Sequence, residues 1–233
     1  MNPTQLDHLV IAAATLEAGE QYVIEQLALD ERHRPVRGGK HASMGTHNSL
    51  LNLWGGSYLE IIAIDPQAPA PTRPRWFGLD DPATFARLQD GPFLAHWVVR
   101  LPRPRQLTRW QRQYPRRIAP VMPMARGDLR WHISVPDDGA LPGWAGQPNQ
   151  PMLDAHGVLP TLIQWDTPAH PSTRLPASGC ALKCLRAFHP QAESLREPLR
   201  WLGAERLLQL DATLVEPTLV AEIETPAGVR TLK

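Results

Sequence analysis

Two histidines and two side chains bearing carbonyl-type oxygens recur along this chain at matching places, and together they carry the donors of a metal site. His8 opens one apolar run, with Leu9, Val10 and Ile11, and His96 opens another 88 residues later, with Trp97, Val98 and Val99. Glu60, between Leu59 and Ile61, is matched 104 residues on by Gln164, between Ile163 and Trp165. On strands, period-two alternation groups His8 with Val10 and Ala12, and Glu60 with Tyr58 and Ile62. Each is then a polar group among apolar ones, and a buried imidazole or carboxylate must be paired, metal-bound or neutralised. Two imidazoles, a carboxylate and an amide oxygen suit Zn, Ni, Mn, Co or Fe(II) and leave positions open for a substrate. The same side chains also fit hydrogen-bonded core histidines. A metal here would act as a Lewis acid, with Glu60 able to turn from ligand to base. His47, one strand away, would orient the substrate or move a proton near neutral pH, or simply cap a turn.

The elements that must position these residues form a repeat. Residues 6–12 read as a strand, Thr15 as an N-cap and residues 16–28 as a helix. A strand around 34–37 follows, then strands at 48–54 and 58–64 joined by Gly55 and Gly56. Residues 65–91 contain the proline-rich stretch 66–74, a connector that is neither strand nor helix. The order then recurs: strand 94–101, helix 105–113, strands 129–135 and 159–166, with a long loop at 136–158 of the kind that serves as a lid or binding segment. A third round has a strand at 181–188, a helix within 191–202 that Pro198 should delay or kink, and strands at 207–210, 219–224 and 229–232. Three β-α-β-β-β rounds make an α+β protein.

Composition narrows the function. With 24 Lys+Arg against 23 Asp+Glu, no global field recruits nucleic acid or an anionic membrane. The arginines at 100, 103, 105, 109, 112, 116 and 117 read as a solvated face, because only Trp110 and Tyr114 interleave with them. The longest apolar run, residues 9–14, is too short to span a membrane, and residues 1–7 lack the features of a secretory signal, so a cytoplasmic location is expected. Cys180 and Cys184, four apart on one strand face, are too distant for a disulfide. Nineteen of the 25 prolines lie between Pro66 and Pro176, which excludes long helices there. No phosphate-binding glycine loop or serine-nucleophile elbow occurs.

The repeated modules, His8 after Asp7, and Glu60 closing Gly56, Ser57, Tyr58 and Leu59 resemble the vicinal oxygen chelate superfamily. More narrowly, Gly45 to Asn48, Gly56 to Glu60, Leu129 to Trp131 and Leu159 to Trp165 resemble its glyoxalase-like domain family, of the glyoxalase/bleomycin-resistance type. The resemblance implies curved mixed sheets around a cavity, with residues 1–176 forming one domain of two modules, about 5–65 and 94–168, and residues 177–233 a third module completing the fold. It also implies a divalent metal held by His8, Glu60, His96 and Gln164, although Gln164 replaces a carboxylate. Trp97, Trp131 and Trp165, on predicted strands, are candidates to line the substrate pocket with His47. The expected activity is a metal-dependent lyase, isomerase or dioxygenase acting on a small oxygen-rich or aromatic molecule. A metal-free protein that binds or sequesters such a molecule is the alternative, and open module edges point to a homodimer.

Overall fold

In the computed structural model of the chain, residues 4–146, 151–213 and 216–233 are described. The long loop expected at 136–158 therefore falls partly outside them, at 147–150.

Strands whose two faces are both apolar need cover on both sides. Leu9, Ile11, Leu59 and Ile61 face one core, while Val10, Ala12 and Ile62 face another. The first module supplies β1 (Gln5–Ala12), α1 (Leu16–Leu27), β2 (Val36–His41), β3 (Thr46–Leu53) and β4 (Ser57–Ile64). The second supplies β5 (Phe93–Arg100), α3 (Leu107–Gln113), β6 (Val121–Arg126), β7 (Leu129–Ser134) and β8 (Thr161–Trp165), with α2 (Pro82–Gln89) between the modules. All eight strands join one sheet in the order β2-β3-β4-β1-β5-β8-β7-β6. Each module contributes the same internal order, and β1 runs antiparallel to β5 at the junction. The sheet curves until its edge strands meet, and Arg126 of β6 donates to Asn48 Oδ1 of β3 across 3.0 Å.

α1 covers the outer face. Thr15 caps it by accepting from the Ala18 amide at 3.1 Å. Gly19 lets the helix approach β4 closely, since a Cβ there would lie 2.4 Å from Ile61 Cγ2. The remaining strands, β9 (Ala181–His189), β10 (Gln209–Ala212), β11 (Thr218–Thr225) and β12 (Gly228–Leu232), with α4 (Ala192–Leu202), form a second sheet ordered β10-β9-β11-β12. This third round keeps the β-α-β-β-β order but not the pairing: β9 lies parallel to β10, whereas β1 lies parallel to β4. Its Leu185, Ala187, Leu195 and Ile223 share a core with Leu9, Ile11 and Val23.

Four expectations need correction. The second strand lies at Val36–His41, not 34–37. The stretch before Gly91 holds a helix, α2, which Asp81 caps through the Ala83 amide and which Pro82 opens. β6 was not expected at all, and α4 begins at Ala192 and continues through Pro198. No helix among the described residues is long and apolar enough to cross a membrane.

Candidate functional site

Adjacent strand residues normally point to opposite faces, but β1 carries a bulge between Leu6 and His8 against β5. It brings the Asp7 carboxylate into contact with the imidazole of its neighbour. His8 Nδ1 donates to Asp7 Oδ1 at 2.8 Å, and its Nε2 faces Glu60 Oε2 on the neighbouring strand at 3.4 Å. The ring stacks on Tyr58, 4.7 Å between centroids. The other Asp7 oxygen accepts from Trp165 Nε1 at 2.9 Å and from His170 Nε2 at 3.0 Å. Glu60 Oε1 accepts from Asn48 Nδ2 at 2.5 Å, and Arg126 ties Asn48 to His41, reaching His41 Nε2 at 3.3 Å. An acid-histidine-acid row thus crosses from β1 to β4, buttressed from both modules.

Burial alone would neutralise this row, yet its members stabilise one another's charge. For His8, burial opposes protonation, but the hydrogen bonds and charges of Asp7 and Glu60 outweigh it and raise the imidazole to about 9. Burial likewise disfavours the Glu60 anion, but His8, with His41 and Asn48, holds it down at about 2. Asp7 is held well below the ordinary carboxylate range by His170 and His8 against its own burial. His41 gains only the nearby Glu60 charge and His96 only a backbone acceptor, and neither offsets burial. Burial, with His8 nearby, lowers them to about 4 and 3, so both are neutral imidazoles.

The second module is not a copy of the first. β1 pairs Val10 with Glu60, and β5 pairs Val98 with Thr161. With His8 and His96 88 residues apart, Val98 is the counterpart of Val10, so the counterpart of Glu60 is Thr161 and not Gln164. Gln164, an odd three residues further, points to the opposite face. There its Oε1 accepts from the Leu107 amide at 3.0 Å and its Nε2 donates to the Arg105 carbonyl at 2.5 Å, fastening the start of α3. His96 Nε2 is taken up by Thr161, whose amide donates to it at 3.1 Å and whose hydroxyl lies at 3.0 Å. Its Nδ1 is buried without a well-formed hydrogen bond.

Of the expected pocket residues, Trp131 and Trp165 do reach the inner face, 5.3 Å apart, with Trp131 also edge-on to His41. Trp97 is on the outer face, fully buried, donating to the Val158 carbonyl at 3.1 Å. His47 is cross-strand from Ala63 of the outer core, so Asn48, one residue on, takes the place beside Glu60. Asp7, His41, Tyr58, Arg126, Thr161 and His170 were not among the expected site residues. Asp7 left a sequence signal in its adjacency to His8, and Tyr58 in its place on the strand face of Glu60.

The donor set does not fit a resident divalent metal. His8 and Glu60 are suitable ligands, and an acid behind the histidine is the usual second partner of a ligating imidazole. The third donor fails, because His96 Nε2 already receives the Thr161 amide, and a hydroxyl stands where a second acid is needed. No cluster of three His, Cys, Asp or Glu suited to a metal occurs among the described residues.

A family model described as a glyoxalase-like domain matches residues 6–203. Among solved structures, a hypothetical protein from Staphylococcus aureus is 11% identical, covering 98% of this chain and 84% of its own, with a TM-score of 0.52. A variant of Streptomyces coelicolor methylmalonyl-CoA epimerase, in complex with 2-nitronate-propionyl-CoA, is 17% identical over 71% of this chain and 100% of its own, at a TM-score of 0.40. The Mycobacterium tuberculosis methylmalonyl-CoA epimerase is 16% identical over 69% and 85%, at 0.36. The first shows the fold alone, and the other two score too low to carry an argument. No curated protein matches the sequence significantly.

Proposed function

Since the chain belongs to the glyoxalase-like domain family of the vicinal oxygen chelate superfamily, we propose that it is a lyase- or isomerase-type enzyme that moves a proton on a small molecule. Glu60 serves as the base and protonated His8 as the acid. The observation that carries this reading is the buried His8–Glu60 pair at 3.4 Å, oriented by Asp7. A carboxylate held by one amide and one imidazolium keeps a lone pair, and its basicity rises when substrate draws the His8 Nε2–H away; the imidazolium gives its own proton to an oxygen or a carbon, and the proton taken by Glu60 then restores His8. Neutral His41, with both ring nitrogens engaged by Arg126 and Thr46, offers the site its ring face rather than a donor. Metal dependence and dioxygenase chemistry are not carried into this reading, because the donor set is incomplete. The partner is a small molecule, in a cytoplasmic protein that dimerises through the open edges at β10 or β12.

The test is deuterium wash-in from D2O at the carbon next to the carbonyl of small hydroxyketones and thioesters. Glu60→Gln should lower exchange on the order of 10²–10⁴-fold while the protein stays folded. Exchange that survives this change would refute the assignment of the base. Binding without exchange in the unaltered protein would favour sequestration.

A further inference from the structure

The concave face of the first sheet is not open. Trp76 and Phe77, from the segment between β4 and α2, lie inside it, 3% and 5% exposed. Their rings stack at 5.5 Å and 24°. Trp76 meets His41 edge-on at 5.0 Å, and Phe77 packs at 5.6 Å from His96. With His8 and Glu60 3% and 5% exposed and His96 fully buried, no small molecule reaches the acid-histidine-acid row while the rings stay.

The segment is not seated as ordinary core. Phe77 has φ +60° and ψ +24°, a left-handed conformation that an aromatic residue adopts under strain. Trp76 Nε1 is buried with no hydrogen-bond partner, as are Arg73 Nε and Arg75 Nε. Residues 66–81 join no strand. They are latched to the loop after β7 by Gly78 N to Gly139 O at 2.9 Å and Arg73 Nη2 to Pro136 O at 2.8 Å. Arg75 is otherwise bonded within the segment, to Asp80 at 2.6 Å. Beside the latch lies a cavity of about 690 Å³ with Gly78 and Asp81 in its wall.

We infer that Trp76 and Phe77 hold the place of a substrate ring system, and that residues 66–81 withdraw as a unit to admit a planar aromatic molecule. The inference rests on the concave face being the site. Two flat rings already fit there, and withdrawal leaves Trp131, Trp165, Tyr58 and His41 as aromatic walls beside the Glu60 carboxylate.

Hydrogen-exchange mass spectrometry of the full chain tests the withdrawal. The amides of Gly78 and Leu79 should exchange at least 100-fold faster than those of β1 and β4, and Gly139→Ala should speed them at least tenfold further. A Cβ at Gly139 would sit 2.2 Å from the Arg75 carbonyl oxygen, forcing the latch apart. Equal protection of residues 76–81 and β4 in the unaltered protein would overturn the inference without any variant having to fold. The ligand class is tested with 1-naphthol against cyclohexanol. The double change Trp76→Ala, Phe77→Gly should bind naphthol at least tenfold more tightly than the unaltered protein, and equal binding of the two alcohols would overturn the aromatic assignment. Naphthol binding is read in the absence of turnover, so failure of the proposed proton transfer leaves this result intact.

Discussion

Replacing His8 by glutamine should change how stability depends on pH in one direction and within one window. Asp7 and Glu60 raise the imidazole from 6.5 to about 9 against its burial. At about 1.4 kcal/mol per pH unit, that rise is worth about 3 kcal/mol, with Asp7 and Glu60 sharing the same interaction rather than adding to it. Because the folded value lies above the unfolded one, this stability is fully present below pH 6.5 and is lost as pH climbs through 9. His41 and His96 behave oppositely: depressed to about 4 and 3, they cost stability only as pH falls below 6.5, outside the window. Urea unfolding of both proteins at pH 6, 7.5 and 9.5 should therefore show a gap that shrinks by about 3 kcal/mol from the lowest pH to the highest. A gap constant to within about 1 kcal/mol would mean that His8 is not a protonated partner of Asp7 and Glu60, and the acid role assigned to it would fall.

Gln164→Ala should cost about 1–3 kcal/mol of stability, because the α3 amide and carbonyl that it serves lose their partners, and should leave turnover and ligand affinity unchanged; a loss of activity without destabilisation would restore a role at the site. Equilibrium dialysis against Zn, Ni, Mn, Co and anaerobic Fe(II) should give less than one tightly held ion per chain, whereas stoichiometric metal lost on both Glu60→Gln and His96→Ala would show that His96 leaves Thr161 to ligate.

Much of the first half-site could be read without coordinates. His8 and Glu60 sit within strands whose apolar neighbours are local in sequence, and strand alternation, a property of one chain segment, is enough to group each with its same-face neighbours, while the family resemblance turns that face inward. The same logic found His96. It failed for Gln164 because matching two strands across modules requires knowing how β8 is slid against β5 after a long loop, and an odd error in that slide reverses the face. Thr161 could be found only from the pairing. Asp7 lies one residue from His8, but its contact with that ring depends on a bulge defined against β5. Trp97 and His47 were placed on the wrong face for a related reason: an apolar strand buried on both sides gives no contrast from which to tell inside from outside.

What the amino-acid order settled by itself is therefore what repeats or alternates locally: the β-α-β-β-β modules, the capped α1, and the shared strand faces of His8 with Val10 and of Glu60 with Tyr58. What only the tertiary structure decided is what depends on segments meeting from afar. Arg126 reaches Asn48 and His41 because the sheet curves until β6 meets β2 and β3, and Trp76 and Phe77 enter the interior from a proline-rich stretch with no periodicity to announce it. The charges of His8 and Glu60 are decided there too, since each depends on a partner brought through space into a region that water has left.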